Sequence, residues 1–208
     1  GDTVLCRWEH DYAARAGSDW PLAGVAPLLQ EADGALCNLE CAVSLLGVPA
    51  PKGERCPFYY RARPEMLAVL VRAGIDLVTA ANNHVGDYGP DGVRETLRWT
   101  AAAGLVCVGI GADLEQAERP RFFRVGGTRI ALAGLDTTMP YFRAAPGRPG
   151  SNHLPPGAGL EPFRAFCARL RAAARGRADL VALTIHWGDN WVREVPGAHR
   201  EIAAAAVE

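Results

Sequence analysis

Apolar positions along the chain fall into short runs that alternate between strand-like and helix-like spacing. GDTVLC opens as a short strand, and PLAGVAPLLQEA follows as a helix with Pro21 suited to its first turn. ALCNLE reads as the next strand, and the Pro/Gly-rich GVPAPKGERCP as a loop. PEMLAVLVRAG has helical spacing and closes on Gly74, whose tolerance of positive φ suits a C-terminal cap. IDLVTAA is an unbroken apolar run, the pattern of a strand covered on both faces. PDGVRETLRWTAAAG is then a helix and LVCVGIG a strand.

The second half begins with RFFRV and TRIALAGL joined by Gly-Gly, a hairpin signal that makes the sheet mixed. Residues 139 to 160 are Pro/Gly-rich and read as a long loop, a length usually tied to function or mobility. A helix (EPFRAFCARLRAAARG), a strand (ADLVALTIHW) and a further helix (PGAHREIAAAAVE) complete the chain. The expected fold is a single α/β domain over residues 1–208, with helices packed outside the sheet.

Composition narrows the function classes. At 208 residues and 49% hydrophobic, the chain can bury a core without a disulfide or metal staple. A net charge of -1 argues against a general nucleic-acid surface. The arginines of RAFCARLRAAARGRA read as a solvated helix face. The six cysteines form no CxxC pair; Cys107 and Cys167 read as small buried hydrophobes. No apolar run approaches the ~20 residues that span a bilayer, so no membrane span is expected. The chain begins at GDTVL without Met; a cell-envelope location is expected if a leader was removed, a cytoplasmic one otherwise.

Polar side chains recur at strand ends, where ligands bind in α/β folds. Asp2 stands in the first strand, Glu40 ends ALCNLE two residues after Asn38, Asn83 and His84 follow IDLVTAA, and His186 ends ADLVALTIH. Each has a plainer reading. Asp2 could be a frayed terminal carboxylate and Glu40 a solvated one. Asn82, Asn83 and Gly86 could serve a turn. His84 could be a core histidine, and His186 an aromatic-packed strand terminus. Together they form the carboxylate, amide and imidazole set that suits Mn, Fe or Zn. LVCVGIGADLEQA gives only G-x-G, and Gly109 and Gly111 read as a strand-to-helix turn rather than a nucleotide loop.

GD at 1–2, NLE at 38–40, ANNHxxDxG at 81–89 and HWG at 186–188 together resemble the bacterial capsule-synthesis CapA family. ETL at 95–97 and GIGA at 109–112 extend the likeness over nearly the whole chain. The family is associated with poly-gamma-glutamate capsules and is similar to calcineurin-like metallophosphoesterases. The resemblance implies a four-layer αββα sandwich and a two-metal hydrolytic centre for a phosphoester or an amide. By it, Asp2 would bind one ion, Glu40 would bridge, and Asn83 and His186 would bind the second. His84 would face substrate as a proton donor. Asp87 would either orient His84 or cap the following helix. The implied partners are an anionic small molecule or polymer and other capsule or polyglutamate synthesis proteins; a non-catalytic accessory role is the alternative. This sequence departs from the family pattern at Val4, where a histidine is usual, at Cys41, and at Asn190 and Trp191. The family's distal histidine-rich segment does not occur before Glu208, so the C-terminal part of the domain is expected to lie outside this chain.

Overall fold

The computed structural model describes residues 1–17 and 20–208. Eleven strands and seven α-helices follow one another in the described residues. The first sheet is wholly parallel, in the order β1 (Asp2–Thr3), β2 (Leu36–Leu39), β5 (Leu77–Thr79), β6 (Val106–Val108). The second places β9 (Thr128–Asp136) between β11 (Leu180–His186), its parallel neighbour, and β8 (Arg121–Val125), its antiparallel hairpin partner. The mixed pairing expected from the Gly126-Gly127 hairpin is therefore confined to the second sheet. Two short pairs, β3 (Ala42–Val43) with β4 (Arg61–Ala62) and β7 (Ile110–Gly111) with β10 (Gly150–Ser151), trim the edges.

Strand side chains alternate between faces, and the core divides accordingly. Cys37, Leu39, Val78 and Cys107 share one cluster with α1 (Trp8–Ala16), α3 (Leu67–Ala73) and α4 (Gly89–Ala102). Their neighbours Leu77, Val106 and Val108 turn the other way and meet Leu132, Phe123 and Ala182 of the second sheet. Ala133, Leu135, Leu183 and Ile185 face α6 (Leu160–Ala174) and α7 (Gly197–Val207). The result is an α/β sandwich of four layers: helices, sheet, sheet, helices.

Glycine lets the two sheets meet. A Cβ at Gly134 would lie 2.7 Å from Thr79 Oγ1 and 3.1 Å from the Gly109 Cα. Gly109 also sits at φ +82°, and a Cβ at Gly111 would strike the backbone of α5 (Leu114–Glu118) at Ala117 N, 2.3 Å away. These two glycines serve a turn and close packing, as expected, rather than a phosphate loop.

Two local expectations are corrected. PLAGVAPLLQEA is not one helix: Pro21 lies in a 3-10 turn (Trp20–Leu22), and only α2 (Ala26–Gln30) is α-helical, restarted by Pro27 in its first turn. Residues 8–16, which carried no helix expectation, form α1. The 139–160 segment stays mostly irregular, with β10 and two 3-10 turns inside it.

Candidate functional site

Strand period and register bring the polar side chains together. In β2, Cys37 and Leu39 point to the helices, so Asn38 points to the seam between sheets, and Glu40 lies two residues further along. Asp2 is the registered partner of Asn38 on β1. In β11, Leu183 and Ile185 face the helices, which turns His186 back toward the first sheet. Asp2, Glu40 and His186 consequently place one ligand atom each within 4.8 Å of one another, although two sheets supply them. Asn83 completes the cluster, its Oδ1 2.9 Å from His186 Nε2.

Two amides organise this centre, and their orientation is unambiguous. Asn82 Oδ1 accepts from the backbone N–H groups of His84 and Val85, both at 3.0 Å, so its Nδ2 must donate. It donates to Asn38 Oδ1 and to the Leu39 carbonyl, each at 2.9 Å. That leaves Asn38 Nδ2 as the donor between the carboxylates, 2.9 Å from Asp2 Oδ1 and 3.1 Å from Glu40 Oε2. Asn82 thus forms the turn and also relays orientation to the acidic pair. Gly86 is required for close approach, because a Cβ there would lie 2.2 Å from the Phe142 ring, whereas Gly89 is required for its φ of +70°.

The two carboxyls are pushed in opposite directions. Burial, reinforced by the charge and hydrogen bonding of Asp2, pushes the Glu40 carboxyl up to about 7. Burial opposes ionisation of Asp2 as well, but hydrogen bonds from Asn38 and Glu40 and the His186 charge hold it below its ordinary value. Burial lowers His186, so its imidazole is neutral at neutral pH. With Asn83 Oδ1 accepting from Nε2, the His186 proton resides on Nε2, leaving Nδ1 toward Asn38 Nδ2 at 3.4 Å.

Behind His186 lies a pair that sequence reasoning missed. Asp136 is the registered partner of His186 on β9 and is fully buried. It accepts from the Thr138 N–H at 2.8 Å and meets His153 Nδ1 at 3.1 Å, and the Thr137 N–H donates to the His186 carbonyl at 2.9 Å. No spacing rule would have coupled His153, inside the long loop, to a strand end.

His84 faces the same space, a cleft of about 750 Å³ lined also by Lys52, Tyr60, Asn83, Trp187 and Asp189. Its Nδ1 lies 2.8 Å from Asp87 Oδ2, and the Tyr60 ring stacks on its face with centroids 4.0 Å apart. Asp87 makes no cap for α4, whose N-terminus carries no side-chain cap, so of its two expected contacts the structure contains the one to His84. Trp191 stands fully exposed at the cleft rim with φ +66°.

The set fits one divalent ion: two carboxylates, an imidazole and an amide oxygen converge, the donor types preferred by Mn, Fe or Zn. Among the described residues this is the one group of three or more His, Cys, Asp or Glu so placed.

The family model described as "Bacterial capsule synthesis protein PGA_cap" matches residues 1–208. The chain belongs to that family. Among its relatives, "Capsule biosynthesis protein CapA" of Bacillus anthracis is 26% identical over 209 residues, covering 100% of this chain and 50% of the relative. "PGA biosynthesis protein CapA" of Bacillus subtilis is 27% identical, covering 99% and 52%. A "Probable polyglutamine synthesis accessory protein" of Mycobacterium tuberculosis is 32% identical over 197 residues, covering 89% and 51%. The chain thus spans about half the length of the curated relatives it matches.

Proposed function

We propose that this capsule-synthesis family member carries a metal-dependent hydrolytic centre that cleaves a phosphoester or an amide bond in the making of an anionic polymer. The observation that carries the reading is the convergence of Asp2, Glu40 and His186 within 4.8 Å at the floor of a cleft that also holds His84. Asp2, Glu40, Asn83 and His186 would hold a divalent ion, which supplies Lewis acidity toward a phosphoryl or acyl oxygen. The second ion that a two-metal reaction would use needs donors beyond this set.

The remaining steps belong to side chains. Ionised Asp87 is an acceptor, so His84 Nδ1 carries the hydrogen that it binds, and Nε2 is the ring nitrogen left for the cleft. That nitrogen, when protonated, delivers a proton to the departing oxygen or nitrogen of the substrate. Tyr60 stacking prevents the ring from turning away. Names of the relatives suggest a capsule or polyglutamate polymer as the substrate's source and polymer-assembly proteins as partners.

A second reading, an accessory protein that binds anionic polymer without cleaving it, draws on the single candidate ion group. The two separate in one assay on the full-length gene product loaded with Mn or Zn. Turnover of an aryl phosphate or a glutamyl anilide that falls at least tenfold in His84→Ala supports the hydrolase. Polymer binding that survives His84→Ala, with no turnover in the wild type, supports the accessory role.

A further inference from the structure

Lys52 is a buried ammonium inside the cleft wall. Its side chain is 1% exposed, and its Nζ lies 2.8 Å from Asp87 Oδ1 and 3.1 Å from the Phe58 carbonyl. The contact with Oδ1 is an ion pair rather than an aligned hydrogen bond, since Oδ1 has no hydrogen-bond partner. Nζ also lies 3.4 Å from His84 Nδ1, but both atoms are donors while Nδ1 binds Asp87, so that approach is not a bond.

Asp87 is fully buried, and its other carboxylate oxygen takes both the His84 ring at 2.8 Å and the Tyr60 N–H at 2.7 Å. One carboxylate therefore sets the edge of the His84 ring and also the strand segment that lays Tyr60 on its face. A buried carboxylate keeps its charge, and so its acceptor geometry, only when a cation compensates it. Lys52 is that cation. The loop it stands on is tied to the same residue, because the Ala50 N–H donates to the Asp87 carbonyl at 2.9 Å and the Tyr59 hydroxyl donates back to the Ala50 carbonyl at 3.0 Å.

We propose that Lys52 is a positioning residue: through Asp87 and the Phe58 carbonyl it locks the His84 ring in place, and it does not anchor the substrate. A lysine in the cleft of a protein that handles anionic polymers would otherwise be read as a substrate contact. Its burial and its ion pair with Asp87 argue against that. The proposal rests on the hydrolase reading for its kinetic consequence only; the effect on the His84 ring stands without it.

The test compares K52M, K52R, D87N and the double variant K52M/D87N in the full-length gene product. The first measurement is nitrogen NMR of the histidine rings in metal-free protein. The expected result is a displaced or broadened His84 Nδ1 signal in K52M and in K52M/D87N, with recovery toward the wild type in K52R. The second is steady-state turnover of 4-nitrophenyl phosphate at saturating Mn. There kcat is expected to fall about 10- to 100-fold, the range typical of outer partners, with KM within about twofold. The double variant is expected to be no worse than D87N alone, because Lys52 acts through Asp87. If K52M fails to fold, K52Q, which keeps a polar group at the buried position, carries both measurements. A tenfold rise in KM with kcat intact would overturn the proposal in favour of a substrate contact. An unchanged His84 signal in the lysine-to-neutral variant would overturn it as well. A wild type without turnover counts against the hydrolase reading, and the NMR measurement then decides Lys52 alone.

Discussion

His186 and Asn83 stand 103 residues apart in the chain and 2.9 Å apart in space, His186 at the end of β11 and Asn83 in the turn that follows β5. That contact closes the candidate metal centre across the seam, and it makes His186 the sole imidazole of the ligand group. Removing it should weaken binding more than removal of an outer partner does. His186→Ala is expected to lower Mn or Zn affinity by more than about 100-fold, above the roughly 10–100-fold lost when a ligand's own hydrogen-bond partner is removed. Isothermal titration reads this directly, and an unchanged affinity would take His186 out of the centre.

Asn38 is expected to matter most when the ion is absent. Its Nδ2 holds two carboxylates whose mutual repulsion it offsets. Asn38→Ala should cost about 1.5–3 kcal/mol of metal-free stability, the range for hydrogen bonds to charged groups. Added Mn should recover most of that loss, visible as a larger metal-induced rise in Tm than in the wild type.

The raised Glu40 carboxyl gives a pH signature whose sign is fixed. Its ordinary value is 4.5 and its folded value about 7, so the folded chain holds a proton that the unfolded chain releases between those values. Stability of the metal-free protein should therefore decline as pH rises from about 4.5 to about 7, and level off above. Glu40→Gln should flatten that decline in urea titrations at pH 5 and pH 8. Metal affinity should run the other way, strengthening as pH rises toward 7 and the proton leaves the site.

Gly134 offers a test of the packing between the sheets. Gly134→Ala puts a methyl 2.7 Å from Thr79 Oγ1 and 3.1 Å from the Gly109 backbone. Overpacking of this kind costs about 1–3 kcal/mol. For a chain of this size the melting temperature should drop by about 2–4 °C for each kcal/mol. A Tm within 1 °C of wild type would mean that the sheets part more easily than the packing implies.

Hydrophobic period carried the strands and the larger helices, because amphipathic α3, α4 and α6 and the apolar runs of β5 and β9 leave a clear record in local sequence. It missed α1, whose WEHDYAARA buries little beyond Ala13 and so shows almost no apolar stripe. The ANNH stretch was legible as more than a turn because its surplus side chains exceeded what a turn uses. Which of them do what was not, since Asn82 turned out to steer Asn38, a strand away. Lys52, Asp136 and His153 left no local signal at all. Their significance lies in contacts across 17 to 35 residues, and no periodicity reports those.

Splitting the ligands between two sheets has a mechanical corollary. An ion at the seam would act as a clasp between the layers, and the glycine contact at 109 and 134 sets how far the clasp must reach. Ionic radius would then be selected by core packing some distance from the donors. A substitution that wedges the layers apart should favour larger ions over smaller ones, without touching a single ligand.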